Sequence, residues 1–190
     1  MKKRVFVEKE NLMEMAYVGW QNKRLALYGI KEGYKLAADD LVDIALEKGE
    51  ENRIDILDQY IFPIMYCYRH SIEISLKLIY DRTYNKLPDN ECGGHDLLKI
   101  WDNKIIKEVI KDLKLVHIKK SELDEIRSLL KELQGFDSKG DVWRYLMNTK
   151  GNLYYTKWKF IDYISLKKNI NYLYNQLDGM YLMINAQINS

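Results

Sequence analysis

The chain has 190 residues and 47% hydrophobic content, which suits a single domain over 1–190 with a core of its own. Its 30 Lys and Arg against 28 Asp and Glu leave a formal net charge of +2, too small for a general polyanion binder, so any nucleic-acid contact has to come from a local patch. Two cysteines, Cys67 in an apolar run and Cys92 in a turn-rich stretch, suggest neither a disulfide framework nor a cysteine-based zinc site. The basic start Met1-Lys2-Lys3-Arg4 is followed by acids before any apolar region of signal length. With no apolar run of membrane length either, the chain reads as cytoplasmic and without a membrane contact.

Helical spacing dominates from the first third onward. Tyr34, Ala37, Ala38, Leu41 and Ala45 predict a helix over Ile30–Lys48, closed by Gly49, with a start as early as Trp20 open because of Gly29 and Gly33. A second helix is predicted to begin at Pro63, a residue suited to a first turn, and to run to Tyr80 or Arg82, with Asp55–Tyr60 adding at most a turn before it. Its positions Ile64, Tyr68, Ile72, Leu76 and Ile79 form an apolar stripe, beside a mixed stripe of Met65, Arg69, Glu73, Lys77 and Tyr80. Thr83–Gly94 reads as a loop, after which Asp96 can cap a helix carrying Leu97, Leu98, Ile100 and Trp101. Ser121 can cap a further helix with Leu123, Ile126, Leu130 and Leu133 on one face and Gly135 as its stop. From Val142 to Phe160 two aromatic-rich runs flank the turn signal Asn148-Thr149-Lys150-Gly151-Asn152, and Asp162–Ala186 returns to helical spacing. The sum is an all-α helical bundle with one irregular or β-hairpin excursion near 142–160.

Two short segments carry the chemistry. Arg69-His70-Ser71-Ile72-Glu73 places charge on a helix otherwise patterned as core, and Gly94-His95-Asp96-Leu97 follows after the loop. Together they hold two of the three histidines. Charges in that setting are costly unless they are paired or the face is used. On one reading, packing of successive helices brings His95 beside Arg69 and Glu73, His95 transfers protons and arginine stabilises phosphate charge, so that Arg69, Glu73 and His95 are the catalytic candidates. On the other, Glu73 pairs with Arg69 or Lys77 and His95 hydrogen-bonds at a helix start, holding the core together. A second candidate surface lies in the excursion, where Arg144, Lys150, Lys157 and Lys159 alternate with Trp143, Tyr145, Tyr154, Tyr155, Trp158 and Phe160, and no acid intervenes. Cations can follow a phosphate backbone while aromatic faces stack on unpaired bases, which makes Arg144, Lys157, Trp158 and Lys159 the nucleic-acid candidates. The competing reading is a hairpin whose aromatics cap the bundle while its lysines face water.

The Arg-His-x-x-Glu-x-x-Leu-Lys helix, the Gly-His-Asp-Leu helix start and the later Trp143-Arg144-Tyr145, in that order over roughly residues 34 to 184, resemble the HEPN superfamily of helical bundles. The resemblance implies a homodimer, and either a metal-independent ribonuclease of toxin–antitoxin and phage-defence systems, working beside a partner protein from the same operon, or a non-catalytic RNA-binding or interaction module. The nuclease members carry Arg, then four to six residues, then His. Here Arg69 adjoins His70, twelve residues separate Arg82 from His95, and no histidine follows Arg144, so the usual pair is missing.

Other chemistry is sparse. Gly93-Gly94 lacks the Lys-Ser or Lys-Thr of a phosphate-binding loop, His117 is isolated, and Asp39, Asp40 and Asp43 lack the further ligands a metal needs, so neither a cofactor nor a metal is expected. Two functions remain: a HEPN-like module that engages RNA, or a non-enzymatic homodimeric interaction domain that holds a partner protein or small ligand in a helical groove.

Overall fold

The computed structural model describes residues 11–18, 22–88, 94–115, 118–138, 140–156 and 159–189. Cys92, His117, Lys157 and Trp158 lie outside them. The chain forms an all-α helical bundle of α1 (Lys23–Glu50), α2 (Ile54–Tyr84), α3 (Leu97–Lys99, continuing in π-type winding over Ile100–Ile110), α4 (Lys120–Phe136), the one-turn α5 (Val142–Tyr145) and α6 (Tyr163–Asn189). No described helix is long and apolar enough to cross a membrane.

Helix α2 is the axis of the bundle. Packing against α1, α3, α5 and α6 surrounds it, so its second half is buried on nearly every side. The apolar stripe Ile64, Tyr68, Ile72, Leu76 and Ile79 is fully enclosed, and the mixed stripe beside it is enclosed as well through Met65, Arg69, Glu73 and Tyr80. Trp101 and Ile105 of α3, Ile126 and Leu130 of α4, and Leu173 and Leu177 of α6 complete the core around it.

Several boundaries differ from the sequence expectation, each for a local reason. Helix α1 begins at Lys23, where the Asn22 side chain accepts from the N–H groups of Arg24 and Leu25, and it runs through Gly29 and Gly33 without a break. Helix α2 begins nine residues before Pro63, at Ile54. Proline cannot donate to the carbonyl of Gln59, but both residues are exposed, so water can take the freed oxygen and the helix continues. Asp96 caps α3, accepting from the Lys99 N–H at 3.0 Å, as its position suggests. Helix α4 starts at Lys120, before Ser121, which serves no cap, and it passes Gly135 to include Phe136, whose ring lies against Trp143 and Tyr155.

The excursion is helical at its start and hairpin-like only at its tip. After α5, Leu146 turns left-handed at φ 53°, and Met147 and Leu153 form a single antiparallel bridge. The turn between them is built on Asn148, whose Oδ1 accepts from the backbone of Lys150 and Asn152, and on Gly151 at φ +77°. Helix α6 starts one residue after Asp162, which caps it through the Ser165 N–H at 2.7 Å.

Because Leu76 is fully enclosed at the centre of α2, Leu76→Ala should destabilise the fold by about 3 kcal/mol, read as a lower urea midpoint at unchanged slope.

Candidate functional site

Helical geometry puts Arg69, Glu73 and Lys77 in one row, each one turn from the next. Arg69 Nη1 donates to Glu73 Oε2 at 3.0 Å, and Lys77 Nζ donates to Glu73 Oε1 at 2.7 Å. Both Arg69 and Glu73 are buried, to 3% and 1% exposure. Two other segments close over the row. Arg69 Nη2 donates to the backbone carbonyl of His95 at 2.6 Å and Nε to that of Asp137 at 3.1 Å. The single guanidinium therefore ties α2 both to the turn before α3 and to the loop before α5. Gly140 completes the cover at φ +76°, where a methyl group would meet Arg69 Nη1 at 3.2 Å, so a side chain there would be strained by the backbone and crowded by the guanidinium.

His95 is held from the same row, with Nδ1 lying 2.9 Å from Glu73 Oε1 while the side chain stays 63% exposed. Burial alone would push the Glu73 carboxyl up. The Lys77 hydrogen bond and charge, together with His95 and Arg69, outweigh it and hold Glu73 below its ordinary value, so it is ionised at neutral pH. An ionised carboxylate only accepts, so His95 Nδ1 carries the hydrogen in this contact. Nε2 makes no hydrogen bond to a described residue.

Around this contact lies a cavity of about 90 Å³ lined by Tyr66, His70, Gly140 and Arg144 besides Arg69, Glu73 and His95. Arg144 reaches it from α5, its Nε donating to the Gly140 carbonyl at 2.9 Å and its Nη2 to Asp141 at 2.8 Å. Its guanidinium lies over the rings of Tyr66 and Tyr145, at 5.9 and 5.2 Å from their centroids. His70 stands between Tyr66, stacked at 5.8 Å, and Tyr34, edge-on at 4.8 Å. Burial pushes its imidazole below the ordinary value, and Lys77, His95 and Arg69 act in the same direction against Glu73. Among the described residues no group of three or more His, Cys, Asp or Glu is placed to hold a metal ion.

The structure thus brings Arg69, Glu73, His95 and Arg144 to one cavity, although the sequence assigned Arg144 to a separate surface. Every polar edge of the Arg69 guanidinium is turned to protein oxygen, so Arg69 positions its neighbours and Arg144 is the cation nearer solvent. Lys159 points elsewhere, over Phe136 and Tyr155 at 4.4 and 4.8 Å. The aromatic run of the excursion divides in the same way. Trp143 is buried and Tyr155 donates its hydroxyl to the Phe136 carbonyl, whereas Tyr145, Tyr154 and Phe160 are exposed. In the sequence His70 stood within the Arg69–Glu73 segment without a role of its own, and Tyr66 was not singled out. Their spacing of four residues on α2, one turn apart and three residues before Arg69 and Glu73, was the available signal.

Glu73→Ala should cost about 3 kcal/mol in urea denaturation, because it leaves Arg69 buried without its carboxylate, whereas Lys77→Ala should cost less, because Arg69 stays on the Glu73 carboxylate. Both His70 and Glu73 bind protons more readily unfolded than folded, so each contributes stability that is present above its unfolded value and is lost on acidification. The melting temperature should start to fall below about pH 6.5 on account of His70 and fall further below about pH 4.5 on account of Glu73. In His70→Gln the first of these two declines should be absent. Comparison of the chain with protein-family models, with curated proteins and with solved structures found no match, so function is approached from the geometry of this cavity.

Proposed function

We propose that the chain is a HEPN-like module of a bacterial defence or toxin–antitoxin system that engages RNA at the cavity between α2, α3 and α5. The observation that carries this is the Glu73–His95 contact, 2.9 Å long, with a buried carboxylate behind it and an open imidazole nitrogen in front. A carboxylate on Nδ1 fixes the ring and compensates the charge whenever Nε2 takes a proton, which is the arrangement of an acid–base group. Arg144 supplies a partly exposed guanidinium beside it for a phosphate, and Tyr145, 60% exposed, offers a ring face for an unpaired base. Lys157, Trp158 and Lys159 stay in this proposal as nucleic-acid candidates on sequence grounds alone, with Lys159 lying over Phe136 and Tyr155. The order of the Arg-His-x-x-Glu and Gly-His-Asp-Leu segments supports the same reading. Assembly as a homodimer, with a partner protein from the same operon, belongs to this proposal and rests on that resemblance.

A second reading, a non-enzymatic interaction domain, has one observation in its favour. An apolar groove of about 230 Å³ runs between α4 and α6, with Phe160, 91% exposed, among its lining residues.

Labelled tRNA and total RNA, incubated with the protein in EDTA, separate the two. RNA should bind with an affinity that falls as salt rises, Arg144→Glu should weaken binding and flatten that dependence, and His95→Gln should abolish cleavage while binding persists. A protein that binds no RNA at low salt would overturn the proposal and leave the interaction domain as the better account.

A further inference from the structure

The outer face of α3 carries a charge pattern that neither the core nor the cavity accounts for. From Gly94 to Lys120 the chain has seven lysines and four acids, and the fold sorts them. Each acid is engaged. Asp96 caps α3 through the Lys99 N–H, and Asp102 accepts from Nε and Nη2 of Arg127 at 2.8 and 2.7 Å. Glu108 accepts from Lys104 at 2.9 Å and from Tyr80 at 3.0 Å, and Asp112 accepts from the Tyr84 hydroxyl at 2.6 Å. Lys104 is buried beside Glu108. The other lysines, Lys99, Lys107, Lys111, Lys114, Lys119 and Lys120, are exposed, and none pairs with a carboxylate among the described residues.

The lysines form a track that starts at the cavity. Helix α3 runs along α2 and away from that site: His95 stands on Glu73, Glu108 meets Tyr80, and Asp112 meets Tyr84. Lys99, Lys107 and Lys111 follow His95 at intervals of four or eight residues, which is one row of a helix face. At its far end lysine stands against local preference. Lys114 holds a left-handed φ of 51° where the Leu115 N–H returns to the Ile110 carbonyl at 3.0 Å, a helix-end position that glycine fills without strain. Lys119 is the N-cap of α4 and makes no side-chain cap bond, and Lys120 follows it, so two cations sit at the positive end of a helix dipole. The dipole accounts for Lys107 and Lys111 near the end of α3, but it opposes Lys119 and Lys120.

We propose that this row is a docking surface for the sugar–phosphate backbone of a base-paired RNA stem whose unpaired flank enters the cavity at His95. The inference rests on the reading that the chain engages RNA, and it names the form of RNA and a contact surface outside the cavity. Ammonium groups one helical turn apart meet phosphates as point charges. Unpaired bases need ring faces to stack on, and this face offers none, since Trp101, the one Phe, Tyr or Trp from Gly94 to Lys120, is buried. A stem keeps its bases inside and presents only phosphate and ribose, which is what a row of cations without rings can hold.

The test uses the full chain, a labelled hairpin RNA and an unpaired strand of the same length, with binding read by fluorescence anisotropy over a range of salt and stability read by melting. Lys114→Gly should melt higher than the parent, bind the hairpin more weakly, and lower the slope of log affinity against log salt by about 1. Lys119→Asp should also melt higher, because it supplies the missing cap, yet weaken hairpin binding about fivefold or more. Lys107→Gln with Lys111→Gln should weaken it as well, and all three should affect the unpaired strand less. Lys48→Glu makes the same change in net charge as Lys119→Asp beside Gly49, which lies against Leu57 at the other end of α2 from Tyr84, and it should bind the hairpin like the parent. Hairpin binding equal to the parent in the three row variants, or an equal loss in Lys48→Glu, would overturn this surface and leave RNA engagement at the cavity standing. Equal losses for the unpaired strand would overturn its assignment to a paired stem. A parent that binds neither RNA at low salt would overturn the functional proposal together with this inference, and binding instead to phosphatidylserine vesicles, lost in the row variants, would replace both with a lipid surface.

Discussion

The buried guanidinium of Arg69 is the constraint on which the site depends. It sits in the most enclosed helix of the bundle and donates to three oxygens from three segments: Glu73 on α2, the His95 carbonyl before α3 and the Asp137 carbonyl before α5. Taking a guanidinium and a carboxylate out of water costs several kcal/mol per ion, and only nearly complete hydrogen bonding offsets it. The energetic pressure to satisfy Arg69 is therefore also a pressure on where the two covering segments lie. Asp137 reinforces the arrangement from the other side, since its Oδ1 accepts from the backbone of Asp141 and Val142 and fixes the start of α5, and with it the position of Arg144.

The same solution recurs on the other face of α2. Lys31 and Lys35 of α1 are buried to 2% and 6% exposure, and neither is left alone. Lys31 donates to Asp178 of α6 at 2.6 Å and lies over the rings of Tyr28 and Tyr174, while Lys35 pairs with Asp39, which also accepts from Tyr68 at 2.7 Å. Ion pairs of this kind add little net stability over apolar packing, but they penalise every register in which a partner is missing. For long helices such as α1, α2 and α6, whose apolar stripes could slide by a turn at modest cost, that penalty selects one alignment.

Periodicity made the helices legible because burial on α6 follows the 3.6-residue repeat, as Ile170, Leu173, Leu177 and Ile184 illustrate, and because the apolar stripe of α2 keeps that repeat although the second half of the helix is buried on nearly every side. Ends were less legible, since they are decided by contacts distant in sequence. Pro63 looked like a start because a proline suits a first turn, and only the exposure of Gln59 tells that the helix can pass through it. Gly135 looked like a stop, but the ring of Phe136 against Trp143 rewards another residue of helix. Within the site, the Arg69–Glu73 spacing announced a pair, whereas the approach of His95 to Glu73 depends on how the segment before α3 folds back, which no local pattern encodes. Arg144 was placed with the lysines downstream by composition, and the left-handed turn at Leu146 parts them, leaving Arg144 at the cavity while Lys159 crosses to Phe136.

What separates this constellation from an ordinary buried ion pair is its asymmetry. Glu73 is enclosed and held by Arg69 and Lys77, yet its third partner, His95, is open to solvent on the side away from it. His95 adds a third contact to a carboxylate that Arg69 and Lys77 already hold. Orientation is what the contact does contribute: a side chain that would otherwise sample several rotamers at a loop surface is held with one nitrogen toward the carboxylate and the other toward the cavity. Rigid support behind a solvent-facing titratable atom reduces the ordering cost that a reaction would otherwise have to meet. The fold expends its tightest packing on α2 where Arg69 and Glu73 stand, and His95 is the most exposed of the side chains that meet the Glu73 carboxylate.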